Sequence, residues 1–192
     1  MRSAAVVLLA AAPAAAALAA DGVHVEAERV GDSVEVRARA LLAAPAALVW
    51  QVLTDYERLP GFIPGIARSV VRGRHGNELT LEQTGEARFL VFSFPIEVTY
   101  EVVESPPASV ASRAIAGNLK RMNGRYDIQE GGQGEAANGR ALVLLRYSGV
   151  IEPDFNLPPL VGTAALRSMA DEQFTAMVAE IERRAAAAAP GK

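Results

Sequence analysis

The chain has 192 residues, 51% of them hydrophobic, which is enough for one domain with a sizeable core. It contains no cysteine and only two histidines, which excludes disulfides, thiol nucleophiles and thiolate metal sites. The formal net charge is −3, with both signs mixed along the chain, and this gives no reason to expect nucleic acid as a partner. The residues indicate no metal and no other cofactor.

Residues 1–20 have the layout of a secretory signal peptide. A positive start at Arg2 precedes an apolar, alanine-rich segment, and small residues suit a cleavage site near Ala19-Ala20. The alternative is an uncleaved membrane anchor, which Pro13 and the weak hydrophobicity of alanine disfavour. We therefore expect a periplasmic or secreted protein with no membrane span after cleavage.

The chain after the leader opens with a predicted hairpin. Apolar and charged residues alternate over 23–28 and 34–40 on either side of a turn at Gly31. This pattern is typical of two antiparallel strands with one wet face. His24 falls on the charged face and His75 in a later turn, so both histidines are interpreted as solvated residues rather than ligands.

Residues 45–66 predict two short helices followed by a proline-braced loop. Pro45 suits the start of a helix, and the apolar residues after it recur at one-, three- and four-residue spacing. Asp55 is expected to cap the second helix through its carboxylate. Pro60 and Pro64 confine that helix to about a turn or two.

Alternating apolar and polar residues then predict a series of antiparallel strands. They are expected over 68–74, 79–87, 92–102, 110–117, 120–129 and 141–151. The last of these is apolar on both faces, which is typical of a central strand.

The chain ends with a predicted amphipathic helix from Leu160 to Arg184. The domain is expected to cover residues 21–185, followed by a disordered tail over 186–192. A curved antiparallel sheet cannot bury its concave face alone, and one long amphipathic helix would cover it. The sequence thus predicts an α+β helix-grip fold, in which the sheet wraps around the C-terminal helix.

The run VWQVLTDYERLPGFIPGI, residues 49–66, resembles the helix pair of START-like (SRPBCC) proteins of the polyketide cyclase/dehydrase and coenzyme Q-binding families. Further similar segments are LEQTG at 81–85, VTYEVVESPP at 98–107 and NGRY at 123–126. The resemblance implies the same helix-grip fold, with a cavity for a small lipophile between the sheet and the C-terminal helix. It implies no particular activity, because the fold carries many functions.

The strand and helix faces indicate which side chains would line such a cavity. They are Trp50, Phe62, Gln83, Phe92, Phe94, Tyr100, Tyr126, Tyr147, Met169, Phe174 and Met177. Gln83 and Tyr100 are expected to orient one polar end of a ligand, and Phe62 to stand at the cavity mouth as a gate. None of these residues is paired with an acid or base at a recognisable spacing, so no catalytic residue is assigned.

Three functions are compatible with these features. The leading hypothesis is an exported, non-enzymatic carrier or binder of a hydrophobic small molecule, such as a lipid, an isoprenoid quinone or a polyketide-like compound. One alternative is a cyclase or dehydratase on the same fold. The other is an envelope protein that binds a partner and has a filled core. The sequence specifies neither the ligand nor an oligomeric state.

Overall fold

A computed structural model describes residues 22–89, 92–135, 141–153 and 159–188. The predicted leader lies outside these ranges. The elements, in chain order, are β1 (His24–Val30), β2 (Ser33–Leu42), α1 (Ala46–Leu53), a 3₁₀ helix (Tyr56–Gly61), β3 (Ile66–His75), β4 (Glu78–Phe89), β5 (Phe92–Ser105), β6 (Ser109–Gly117), β7 (Leu119–Glu135), β8 (Ala141–Pro153) and α2 (Pro159–Ala187). This order confirms the predicted helix-grip fold.

The described strands form one antiparallel sheet of eight strands in the order β1-β2-β8-β7-β6-β5-β4-β3. After β2 the chain crosses to the far edge of the sheet, where β3 lies. Strands β3 to β8 then lead back one after another, until β8 pairs with β2. The position of β8 between β2 and β7 confirms the central strand predicted from its two apolar faces.

One face of the sheet is buried, and the side-chain alternation of β2 shows which one. Val36, Ala38 and Leu42 are buried, whereas the intervening Arg37 and Arg39 are exposed. A two-residue period puts successive side chains on opposite faces, so the predicted wet face of this hairpin is confirmed. Register irregularities between β3 and β4 and between β5 and β6 interrupt the ladder, and such bulges increase the twist of a sheet.

Helix α2 crosses the concave face and packs against β1, β2, β4 and α1. Its second half is embedded in the core, where Val178, Ile181 and Ala185 are almost fully buried. The helix includes Ala186 and Ala187, two residues that the sequence places in the tail. No helix in the described ranges combines the length and apolar character that crossing a bilayer would require.

The helix pair confirms one prediction and corrects another. Helix α1 begins directly after Pro45 and buries Val49 and Val52 completely. Asp55 precedes the 3₁₀ helix, but its carboxylate makes no capping hydrogen bond there, so the predicted cap is wrong. Oδ2 of Asp55 instead accepts a hydrogen bond of 2.9 Å from Nη1 of Arg184 in α2. A charged donor makes a stronger hydrogen bond than a backbone N–H, which accounts for the difference.

Candidate ligand-binding cavity

A cavity of about 230 Å³ lies between the concave face of the sheet and the first half of α2. The helix contributes side chains at three- and four-residue spacing from Ala165 to Met177, before the part that is embedded in the core. The sheet contributes residues of β2 to β8, among them alternate residues of β5 and an unbroken run of β4 from Gln83 to Arg88. The strands thus form a mainly apolar cavity floor with a few polar side chains, and one stripe of the helix forms the roof.

The structure brings together eight of the eleven residues that the sequence predicts for this site. Those in the lining are Gln83, Phe94, Tyr100, Tyr126, Tyr147, Met169, Phe174 and Met177. The side chain of Phe92 lies outside the described residues. Trp50 and Phe62 are described and are not part of the lining.

Phe62 and Trp50 pack elsewhere. Phe62 is half-buried beneath the Arg184 guanidinium, whose Cζ lies 5.6 Å from the centre of the ring. Trp50 is half-buried on α1 against the hydrophobic core. In the 3₁₀ helix and the loop after it, Leu59 and Ile63 reach the cavity instead. The predicted position of Phe62 at the cavity mouth is therefore not the one in the structure.

Several lining residues were not predicted although the sequence carried a signal for them. Met122 and Ser112 face the cavity because strand residues an even number of positions apart share a face. Met122 is four residues from Tyr126 on β7, and Ser112 is two residues from Val110 on β6. Leu59 and Ile63 are four residues apart, which places them on one side of a helical turn. The same periodicity that identified the aromatic residues would have identified these four.

Two tyrosines stand side by side on the cavity floor. Tyr126 of β7 is directly opposite Tyr147 of β8, and their ring centres are 4.8 Å apart with the planes tilted by 46°. The ring of Phe174 on α2 lies parallel to that of Tyr126, with centres 6.4 Å apart. Aromatic contacts of this kind add to the free energy of burial and restrict the orientation of the rings.

Two glycines make room for Tyr147. Gly124 and Gly149 are directly opposite each other on β7 and β8, two residues from the tyrosine pair and on the same face. A Cβ on Gly124 would lie 3.0 Å from the Tyr147 hydroxyl, and one on Gly149 would lie 2.8 Å from Cζ of the same ring. The glycines therefore let the ring lie flat along the sheet instead of standing up into the cavity.

The cavity phenols are neutral donors. Burial raises the pKa of Tyr147 to about 12. Burial also raises the pKa of Tyr100 and Tyr126, and repulsion from the neighbouring phenols adds to it. Tyr126 and Tyr147 keep some accessible surface although they lie deep in the fold, because that surface faces the cavity. Their hydroxyls therefore stay protonated at physiological pH and can donate hydrogen bonds into the cavity.

Gln83 and Tyr100, which were expected to hold the polar end of a ligand, already have partners within the protein. Nε2 of Gln83 donates to Oγ of Ser69 at 3.1 Å. The Tyr100 hydroxyl donates to Sδ of Met122 at 3.0 Å. Ligand binding would have to compete with both contacts.

Charged residues lie at the surface end of the cavity, which we call the mouth and define by Gly65, Glu86, Arg88 and Gln173. Gly65 and Arg88 are exposed, and Glu86 forms an ion pair with Arg88. Nε2 of Gln173 donates to the carbonyl oxygen of Pro64 at 3.1 Å, which links α2 to the loop before β3.

The loop before β3 packs closely against β4 at the mouth, and Gly65 and Gly85 make this close approach possible. The amide of Glu86 donates to the carbonyl of Gly65 at 2.9 Å, and Gly65 has a φ of +82°. A Cβ on Gly85 would overlap the Gly65 carbonyl group. The loop can approach this closely only because neither residue carries a side chain.

An ion pair between the buried Glu104 carboxylate and the exposed Arg74 holds the end of the cavity next to the 3₁₀ helix. The Tyr56 hydroxyl, which belongs to a lining residue, donates to Oε1 of Glu104 at 3.0 Å. The Arg74 guanidinium donates to both oxygens of Glu104, at 2.8 and 3.0 Å. Burial opposes the charged form of Glu104, but the hydrogen bonds from Arg74 and Tyr56 outweigh it and lower the pKa of the carboxyl. The carboxylate is thus fully engaged inside the protein.

Proteins of known structure share this fold, although their sequences differ widely from this one. No curated protein matches the sequence. A STAR-related lipid transfer protein from Xanthomonas axonopodis superposes with a TM-score of 0.64 at 18% identity and covers 84% of this chain and 94% of its own. An aromatase/cyclase from a Streptomyces species superposes with a TM-score of 0.60 at 17% identity, covering 79% and 95%. A START superfamily protein from Mycobacterium smegmatis gives 0.60 at 16%, covering 81% and 99%.

These superpositions show the fold, and the sequence itself shows the family. Residues 42–178, more than half of the chain, match the family model described as polyketide cyclase / dehydrase and lipid transport. The matched range includes the helix pair, β3 to β8 and the part of α2 that lines the cavity. The chain therefore belongs to the polyketide cyclase/dehydrase and lipid transport family.

Proposed function

We propose that this protein is an exported carrier that holds a hydrophobic small molecule in the cavity between the sheet and α2. The observation that carries the proposal is the cavity itself, which is lined mainly by aliphatic, aromatic and methionine side chains. Burying apolar surface yields about 25 cal/mol per Å², so an apolar ligand can bind there without a charge contact. Methionines such as Met122, Met169 and Met177 adapt to ligands of irregular shape.

Membership of a family described by both cyclization and lipid transport supports this class of ligand. The open space also argues against an envelope protein with a filled core, because the residues expected to fill that core surround a cavity instead. Export is supported by the signal-peptide layout of residues 1–20.

A cavity-filling variant tests the binding function. Ala170 lines the cavity and is half-buried, so Ala170→Trp should occupy ligand space. Ala179 is exposed on the same helix, and Ala179→Trp is the matched control. We expect native mass spectrometry to detect a bound lipophile on the wild-type and Ala179→Trp proteins and to find it lost from Ala170→Trp. A wild-type protein that carries no lipophile and takes up no fluorescent lipid would contradict the proposal.

Export is tested separately. Expression of the full chain in a secreting bacterium should give a periplasmic protein whose measured mass corresponds to cleavage near Ala19-Ala20. An intact N-terminus on protein that stays in the cytoplasm would rule out export and leave the binding function standing.

The second candidate function is a cyclase or dehydratase, and the convergence of three neutral phenols favours it over other enzyme classes. A phenol can polarise a substrate carbonyl or donate a proton to it. The Tyr126 and Tyr147 hydroxyls are available for this role in the cavity, whereas the Tyr100 hydroxyl would first have to leave Met122. An enzyme would lose turnover on Tyr→Phe substitution while ligand affinity stays nearly the same, whereas a carrier has no turnover to lose.

A further inference from the structure

The cavity contains two phenol groups that the protein itself leaves unused. Within the described residues, neither the Tyr126 nor the Tyr147 hydroxyl has a hydrogen-bond partner. Neither oxygen is fully enclosed by protein atoms, because every fully enclosed side-chain oxygen or nitrogen in the described ranges has a partner. Both side chains line the cavity, so the unused donors face the space that a ligand would occupy.

The rings that carry these hydroxyls are fixed in place. They contact each other across β7 and β8 at 4.8 Å, and Phe174 lies parallel to Tyr126. Tyr147 is further held over the Gly124 and Gly149 pair. Donors that are already oriented lose little side-chain entropy on binding, which is the condition for selective recognition.

The surroundings of the pair select against a charged ligand group. Among the described lining residues, the only charged ones are Glu86 and Arg88, which are paired with each other at the mouth. Both lie on β4, and β5 and β6 separate that strand from β7 and β8, which carry the tyrosines. A carboxylate or phosphate beside the tyrosines would lose its hydration without gaining a cation. A carbonyl or hydroxyl oxygen would lose much less and would gain the phenol hydrogen bonds.

We propose that Tyr126 and Tyr147 form a subsite for one uncharged ligand oxygen, so that the protein takes a neutral oxygenated lipophile with its carbonyl or hydroxyl group innermost. This inference rests on the proposed binding function and narrows its ligand class. The sequence predicted that Gln83 and Tyr100 would bind the polar end of the ligand, but these residues are hydrogen-bonded to Ser69 and Met122. The proposed subsite assigns that role to the tyrosine pair on β7 and β8 instead.

Three naphthalenes that share one ring system test the subsite. Acetylnaphthalene carries a ketone, ethylnaphthalene replaces it with a hydrocarbon group, and naphthoate carries a carboxylate. Their affinities for the protein as purified after expression of the full chain are measured by isothermal titration calorimetry. We expect the ketone to bind about three- to tenfold more tightly than the hydrocarbon, as one or two neutral hydrogen bonds would give, and naphthoate to bind least tightly.

Variants then locate the preference. In the double variant Tyr126→Phe/Tyr147→Phe the ketone and the hydrocarbon should bind equally well, with the affinity for ethylnaphthalene unchanged. Tyr100→Phe removes a hydroxyl from the same cavity that is already bound to Met122, and it should keep the preference. The rings remain in every variant, and circular dichroism confirms the fold.

The outcomes separate the two proposals. Equal wild-type binding of ketone and hydrocarbon, tightest binding of naphthoate, or a ketone preference that survives in the double variant would overturn the subsite while leaving the cavity a binding site. Failure of all three naphthalenes to bind would overturn the subsite and the proposed function together.

Discussion

Nη1 of Arg184, near the end of α2, donates a hydrogen bond of 2.9 Å to Oδ2 of Asp55, which lies between α1 and the 3₁₀ helix. The two residues are 129 positions apart in the chain. Both side chains are about four-fifths buried, with exposures of 22% and 23%. The same guanidinium donates to Glu180 at 2.6 Å and covers the ring of Phe62. One arginine thus fastens the C-terminal helix to the helix pair.

Removing the charge from Asp55 tests this connection. Asp55→Asn should lower the free energy of unfolding by about 1–2 kcal/mol, because Arg184 then donates to a neutral amide oxygen instead of a carboxylate in a largely buried site. Arg58 also approaches Asp55, at 3.8 Å, but its side chain is 77% exposed. Arg58→Ala is therefore the matched control and should cost less than about 0.5 kcal/mol. Urea unfolding measures both, and equal losses would show that burial of the Arg184 contact contributes nothing.

The Glu180 carboxylate should make stability depend on pH at the acid end. Hydrogen bonds from Arg183, and also from Arg184, outweigh the opposing effect of burial and lower the pKa of Glu180 to about 2. A carboxyl with a lowered folded-state pKa stabilises the protein above its unfolded pKa, and this stabilisation is lost as the pH falls through the folded value. The difference in unfolding free energy between wild type and Glu180→Gln should therefore be constant above about pH 5 and shrink towards about pH 2.

Urea unfolding of both proteins at several pH values measures this difference. Glu172→Gln provides the control, because Glu172 is exposed on the same helix and forms no ion pair within the described residues. A Glu180→Gln difference that stays the same down to about pH 2 would contradict the assigned pKa.

Periodicity explains why so much of the site was predictable. Gln83 and Tyr100 were expected to face inward because strand residues two apart share a face, and the structure places both in the lining together with the other two candidates, Tyr126 and Tyr147. Met169, Phe174 and Met177 followed in the same way from helical spacing. A face is a local property of the chain, so a single sequence can specify it.

Partners are not a local property, and there the predictions failed. The rule that an aspartate before a helix caps it is local, whereas the actual partner of Asp55 comes from the far end of the chain. Tyr100 of β5 contacts Met122 of β7 across the intervening β6, a contact that depends on the register of all three strands. Phe62 and Ile63 are adjacent, yet Phe62 packs under Arg184 of α2 while Ile63 lines the cavity, and no local pattern distinguishes the two.

The hydrogen bond at the mouth, rather than Phe62, should control ligand exchange. Gln173 joins α2 to the Pro64 carbonyl at the surface end of the cavity, and Gln173→Ala should speed ligand release about two- to tenfold, as the loss of one neutral hydrogen bond allows. Stability should fall by less than about 1 kcal/mol. Stopped-flow fluorescence of bound acetylnaphthalene measures the release rate.

Phe62→Ala is the informative comparison, since Phe62 packs under Arg184 and does not line the cavity. It should lower stability by about 2–4 kcal/mol and change the release rate less than Gln173→Ala does. Faster release in Phe62→Ala than in Gln173→Ala would restore the aromatic gate and refute the role of Gln173.

The close contact between Gly149 and Tyr147 makes the shape of the cavity sensitive to a single methyl group. A Cβ at Gly149 would lie 2.8 Å from Cζ of the Tyr147 ring, so Gly149→Ala must displace that ring, and the open direction is into the cavity. We expect a loss of about 1–3 kcal/mol in stability, the usual cost of overpacking, together with weaker binding of ethylnaphthalene. Gly73→Ala on β3 is the control, because a Cβ there meets no atom within 4 Å and stability should change by less than about 0.5 kcal/mol.

The double variant Gly149→Ala/Tyr147→Ala tests whether the ring is the cause. Without the ring the added methyl group has nothing to displace, so it should cost almost no stability in the Tyr147→Ala background. The two substitutions should therefore be non-additive by most of the single-variant loss. Additive losses would mean that Gly149 is required by the strand backbone itself, and that the flat position of Tyr147 does not depend on it.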